Sequence, residues 1–199
     1  MKSYNKILWA VVLICISSRN VDAAIIYASA ALKAGYSTVQ TTDTSTVPKT
    51  NFASYAIDSS LGFRMFGLIL GANAEYALWN QLTDPSKVSS INTQGKLLGI
   101  SPIFGFEFGA VRFIGKLPSY ISGSYSLDRS NTSGQKLKYK DADTMSLQFH
   151  WKSTPLTFLG IEYQSIKFNK VDTAGTESTL TSEKKLKLNS IGLLYGLYF

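Results

Sequence analysis

The chain reads as an all-β protein, a transmembrane eight-stranded antiparallel up-and-down β-barrel. Three observations predict this: apolar and polar side chains alternate with period two, four long polar stretches separate segments long enough for two strands each, and the last alternating run continues to Phe199. Soluble domains usually trail off in a polar tail, whereas a strand that closes a barrel inside a membrane keeps its apolar face. Composition is compatible with one domain, at 45% hydrophobic residues and a mean hydropathy of +0.03. Nowhere is there the run of about 18 apolar residues that a spanning helix needs.

The first element is a predicted secretory signal over residues 1–23. Lys2 and Lys6 precede the apolar block "ILWAVVLICIS", and Val21 and Ala23 are the small residues of a cut after Ala23. The barrel domain is then residues 24–199. Three positive charges and one negative leave with the signal, which takes the net charge from +7 to +5. Cys15 leaves as well, so the remaining chain has no thiol for a disulfide, and no cofactor is expected. The basic runs "GQKLKYKDAD" and "SEKKLKLN" lack the density of a nucleic-acid site and suit a solvated rim near anionic lipid.

The strands follow from parity, because alternate side chains point to opposite faces. In "ALKAGYS", Leu32, Ala34 and Tyr36 share one face and Lys33 and Gly35 the other. "SLGFRM" separates Leu61, Phe63 and Met65 from Gly62 and Arg64. "GKLLGISPIFGFEF" sets Leu98, Ile100, Phe104, Phe106 and Phe108 against Gly99, Ser101, Gly105 and Glu107. "YISGSYSL" opposes Ile121, Tyr125 and Leu127 to Tyr120 and three serines. "TMSLQFHWK" places Met145, Leu147, Phe149 and Trp151 opposite Thr144, Ser146, Gln148, His150 and Lys152. "FLGIEYQS" divides Leu159, Ile161 and Tyr163 from Gly160, Glu162 and Gln164. The final run divides Ile191, Leu193, Tyr195, Leu197 and Phe199 from Ser190, Gly192, Leu194, Gly196 and Tyr198.

A soluble sandwich also alternates, but here the polar face is small and charged and the apolar face is crowded with Phe, Tyr, Leu and Trp. That suits a narrow barrel with a polar, packed interior and a lipid-facing exterior. Four long polar loops are read at residues 40–54, 83–94, 128–143 and 169–185. Three short turns are read near Phe66 and Gly67, within residues 109–118, and at "KSTP".

With signal, four hairpins and terminal aromatic in place, the sequence resembles the small eight-stranded outer-membrane barrels of Gram-negative bacteria, of the OmpX and OmpA-transmembrane-domain type. The resemblance implies an outer-membrane location, and a final strand whose Gly192, Tyr195, Leu197 and Phe199 carry the signal read by the barrel-assembly machinery. It also implies outer-membrane lipid and lipopolysaccharide as surroundings.

Lys33, Arg64, Glu75, Glu107, Gln148, His150, Glu162 and Gln164 take the inward parity and are expected to form a polar lumen network. Opposed charges with satisfied hydrogen bonds can fill so narrow a lumen. Tyr36, Trp79, Tyr125, Trp151, Tyr195 and Phe199 are expected in interfacial girdles. His150, the lone histidine, raises a second reading as a general base oriented by Glu162. Lipid A deacylases use His, Ser and Glu on a similar barrel, but Lys152 stands where they place Ser. The expected function is non-enzymatic, with four external loops acting in adhesion, surface protection or envelope integrity and available to an extracellular ligand. The alternatives are a lipid A-modifying barrel enzyme and a narrow solute channel.

Overall fold

A computed structural model describes residues 26–40, 51–82, 94–117, 121–130, 136–181 and 186–199, with backbone alone at 40, 81, 94, 121–130, 136 and 137. The signal segment, its cut and the side chains of Ile121, Tyr125 and Leu127 lie outside this description. The described residues form ten strands: β1 (Ile26–Gln40), β2 (Asn51–Met65), β3 (Leu68–Gln81), β4 (Gln94–Phe108), β5 (Val111–Lys116), β6 (Ile121–Ser130), β7 (Lys136–Lys152), β8 (Thr157–Thr173), β9 (Thr176–Thr179) and β10 (Lys187–Tyr198). Segments β5 and β6 both pair with β4 and β7 and form one stave. Segments β9 and β10 both pair with β8 and form the last. Every pairing is antiparallel, and β10 returns to β1 from Ser29↔Tyr198 to Gln40↔Lys187, closing eight staves into a barrel.

The outward parity is apolar around the whole circumference. Leu32, Leu61, Phe63, Leu147, Ile191 and Leu193 are each more than 60% exposed, which a protein in water would not tolerate as a continuous band. In lipid, the closed hydrogen-bond ladder leaves no free edge and the exposed leucines face hydrocarbon. Tyr36, Tyr55, Tyr76 and Tyr163 stand near the long-loop side of this belt.

The short turns fall at Phe66–Gly67, at Gly109–Ala110 and across residues 153–156, in the three places read from the sequence. The long loops are shorter than read. Residues 51–54 belong to β2, residues 136–143 to β7, and residues 169–173 and 176–179 to β8 and β9. In these extensions the outward face is polar and the inward face carries the upper plug, the reverse of the belt: Phe52 and Tyr139 are buried while Asn51 and Lys138 are exposed. At Asp141 the backbone adopts φ +53°, and the alternation slips by one residue so that Tyr139 and Ala142 are both buried.

The interior also differs from the uniformly polar lumen expected. One apolar cluster, including Phe52, Trp79, Tyr139, Phe168 and Leu188, fills the long-loop end. A second, including Tyr27, Ile69, Phe158 and Tyr198, lies toward the short turns. Trp79 is therefore a plug residue and not a girdle residue, because it shares the inward parity of Glu75 and is 1% exposed. Tyr36, Trp151, Tyr195 and Phe199 do face outward. Gly196 makes room for the lower plug: a Cβ there would meet the Phe158 ring at 2.5 Å.

Candidate functional site

Between the plugs lies a buried ionic network contributed by strands around the barrel. Lys33 on β1 donates to Glu75 on β3 and, at 2.5 Å, to Glu162 on β8. Lys116 on β5 reaches the same two carboxylates, each at 3.1 Å, and also Asp58 on β2. Asp58 and Glu75 are direct cross-strand partners, an arrangement that repels unless a cation lies between them. The ligand-bearing oxygens of Asp58, Glu75 and Glu162 lie within 4.8 Å of one another, a spacing that suits a metal ion. The two ammonium groups bridge them instead.

The remaining lone pairs are taken by amides. Asn73 donates to Asp58 Oδ1 at 2.6 Å, Gln148 donates to Asp58 Oδ2 at 3.2 Å and Glu162 Oε1 at 3.3 Å, and Gln164 donates to Glu75 Oε2 at 3.0 Å. Every oxygen of the three carboxylates thus accepts a hydrogen bond, the condition under which buried charge is tolerated.

A second charged group lies at the short-turn end. Glu107 accepts from Arg64 at 3.0 Å, from Arg112 Nε at 2.8 Å, and from Lys152. The guanidinium of Arg112 stacks 3.8 Å from the Tyr198 ring centroid and 4.8 Å from that of Tyr27.

His150 lies between the two groups and is 2% exposed. Its ring stacks on Phe158 at 4.2 Å; Nε2 donates to Gln148 Oε1 at 3.1 Å, and Nδ1 accepts from the Tyr198 hydroxyl at 3.2 Å. Glu162, read as its orienting partner, is engaged with the two lysines, and Ser153 bonds Thr157 in its turn.

Asp58, Arg112 and Lys116 were not among the residues singled out from the sequence. Asp58 shares the parity of Arg64, so alternation carried that signal. "VRFIGK" alternates too, but it is short and sits where a turn is expected.

This interior predicts a closed conduit. Planar-bilayer recordings of the purified barrel are expected to show no steady ohmic current. Trimming the upper plug with Trp79→Ala and Phe168→Ala together is expected to leave that baseline unchanged, because the central network and the lower cluster still close the lumen.

Above the belt, Lys140 donates to both Asp172 and Glu177 at 2.8 Å, and Gly175 N–H donates to Asp172 at 2.9 Å. The ammonium holds both carboxyls below the usual carboxylate range. A depressed folded value stabilises at neutral pH, and the contribution is lost as pH falls from the usual range down through the lowered folded values. Acidification should therefore speed amide exchange at Gly175, after correction for the intrinsic rate, while exchange in the belt stays unchanged.

A closed eight-stave antiparallel barrel with an apolar outer band and a filled lumen defines a membrane-spanning β-barrel of the outer-membrane type. Solved structures share that fold. Neisserial surface protein A matches over 87% of this chain and 97% of its own, at 14% identity and a TM-score of 0.56. Ail, the attachment invasion locus protein of Yersinia pestis, matches over 87% and 98% at 13% identity and a TM-score of 0.55. Ail in complex with the heparin analogue sucrose octasulfate matches over 86% and 99%, at 16% identity and a TM-score of 0.53. No protein-family model and no curated protein matches the sequence.

Proposed function

We propose that this barrel is a non-enzymatic surface protein of the bacterial outer membrane whose long-loop end makes the working contacts, in adhesion, surface protection or envelope integrity. The observation that carries the reading is the division of labour in the fold. The lumen is filled by its own side chains, while β7, β8 and β9 project beyond the belt with exposed charged residues such as Lys138 and Glu177. His150 supports the non-enzymatic reading, since both ring nitrogens are engaged inside the barrel and away from the lipid face.

The proposed surroundings are outer-membrane lipid and lipopolysaccharide. Lys167 and Lys187 support this: they are direct cross-strand partners, exposed on the outward face beyond Tyr163 and Ile191, where lipid phosphates would offset their repulsion. The barrel-assembly machinery is proposed to read Gly192, Tyr195, Leu197 and Phe199; the last three present their side chains outward. Ail's heparin analogue suggests a sulfated glycan as the first extracellular probe to try.

The test exchanges residues 170–179 for a short polar turn. Heat-modifiable, membrane-inserted protein should remain at wild-type level, because few buried contacts cross this hairpin, while binding of cells to heparin and to host-cell monolayers falls to that of the deletion strain. Unchanged binding, together with an altered lipid A acyl pattern in His150→Asn, would replace this reading with the enzymatic one.

A further inference from the structure

The charged group at the short-turn end is unlike the one at the barrel centre. In the centre, two ammoniums serve three carboxylates and every oxygen is satisfied. At the short-turn end three cations, Arg64, Arg112 and Lys152, converge on one carboxylate, Glu107. That carboxylate is saturated: Oε1 accepts from Arg64 and Lys152, and Oε2 accepts from both Nε and Nη2 of Arg112. Two buried donors are left over, Arg64 Nε and Arg112 Nη1, with no hydrogen-bond partner among the described residues. Arg112 is only 2% exposed, so its leftover donor is costly to bury unpaired.

The position adds direction. Each of the three short turns supplies a member: Arg64 precedes Phe66–Gly67, Glu107 and Arg112 flank Gly109–Ala110, and Lys152 leads into residues 153–156. Lys152 and Arg64 keep 23% and 15% of their side chains open, so the group faces outward through its two cations of greatest exposure. With the long loops outside the cell, this group stands at the periplasmic mouth of the lumen.

We propose that the periplasmic rim of the barrel is an oxyanion-binding site for a phosphate group, held by Arg64, Arg112 and Lys152 with Glu107 as the internal competitor for the same donors. A phosphate presents several acceptor oxygens in the geometry that planar guanidinium forks match, and it balances the two excess positive charges. The phosphate can be free or the headgroup of an anionic phospholipid.

The experiment uses the barrel purified in zwitterionic detergent. Inorganic phosphate is titrated by calorimetry, and native mass spectrometry counts retained phosphatidylglycerol against phosphatidylcholine. Saturable binding of one or both probes is expected, weakened about tenfold in Arg64→Gln and in Lys152→Gln by loss of one charge-assisted hydrogen bond. Glu107→Gln should bind more tightly, since the competitor is removed. Lys167→Gln, at the other end of the barrel, should bind as wild type. Phosphatidylglycerol retention without measurable phosphate binding assigns the site to lipid; phosphate binding alone assigns it to a free anion. No saturable binding of either probe by the wild-type barrel, binding indifferent to Lys152→Gln, or weaker binding in heat-modifiable, folded Glu107→Gln protein would overturn the proposal.

Discussion

Replacing Lys116 with methionine is expected to destabilise the barrel by about 3–5 kcal/mol, the usual cost of breaking a buried ion pair from one side. Lys116 contacts Asp58, Glu75 and Glu162 and is 3% exposed. Without it, Lys33 is left to serve Glu75 and Glu162, and Asp58 and Glu75 face each other across β2 and β3 with no cation shared between them. Water cannot replace the ammonium easily, because apolar clusters close the lumen on both sides. Urea titration of the barrel in lipid vesicles, followed by tryptophan emission, should show the midpoint falling. Adding Asp58→Asn to Lys116→Met should recover part of the loss, since the amide matches the carboxylate in shape without its charge. A single variant as stable as wild type would show that the lysine is not a structural counter-ion.

Leu32→Arg is expected to cost about 2–4 kcal/mol, the range for a cation at the middle of a barrel's lipid face. Leu32 sits between Tyr195 on β10 and Ile57 on β2, midway along the outward face that runs from Ile26 to Tyr36 on β1, and it is 64% exposed. The adjacent Lys33 is tolerated because its side chain enters the lumen and meets two carboxylates. One residue of displacement thus separates a required cation from an excluded one. The same vesicle titration reads the effect. Equal stability of Leu32→Arg and wild type would contradict a lipid-facing exterior.

Parity made much of this barrel legible in the sequence. The outward residues of β7, such as Met145, Leu147 and Trp151, and the inward lysine on β1 follow from alternation alone, because one face meets hydrocarbon and the other does not. Above the belt the pattern inverts, with Lys138 outside and Tyr139 inside, and the slip at Asp141 puts it out of phase with the rest of β7, which is why residues 136–143 read as loop although they extend β7. Nor does it say which inward residues meet: Lys33 and Glu162 are 129 positions apart and are joined only by closure of the barrel. Trp79 reads as a girdle residue from the interfacial habit of tryptophan, although its shared parity with Glu75 places the ring inside. His150 was weighed as a base from its chemistry, and its neighbours Phe158 and Tyr198 became visible only in three dimensions.

The central ionic network has a bearing on how the chain reaches its final state. Its members come from all four hairpins: Lys33 and Asp58 from the first, Glu75 from the second, Lys116 from the third and Glu162 from the fourth. A half-built sheet holding the first two hairpins would have Asp58 and Glu75 side by side without Lys116, and one lacking the fourth would leave Lys33 short of a partner. Such intermediates cannot rest in hydrocarbon with those groups ionised. Insertion and closure are therefore coupled into one cooperative event, with the hairpins kept in an aqueous or assisted environment until the ring of charges can be completed.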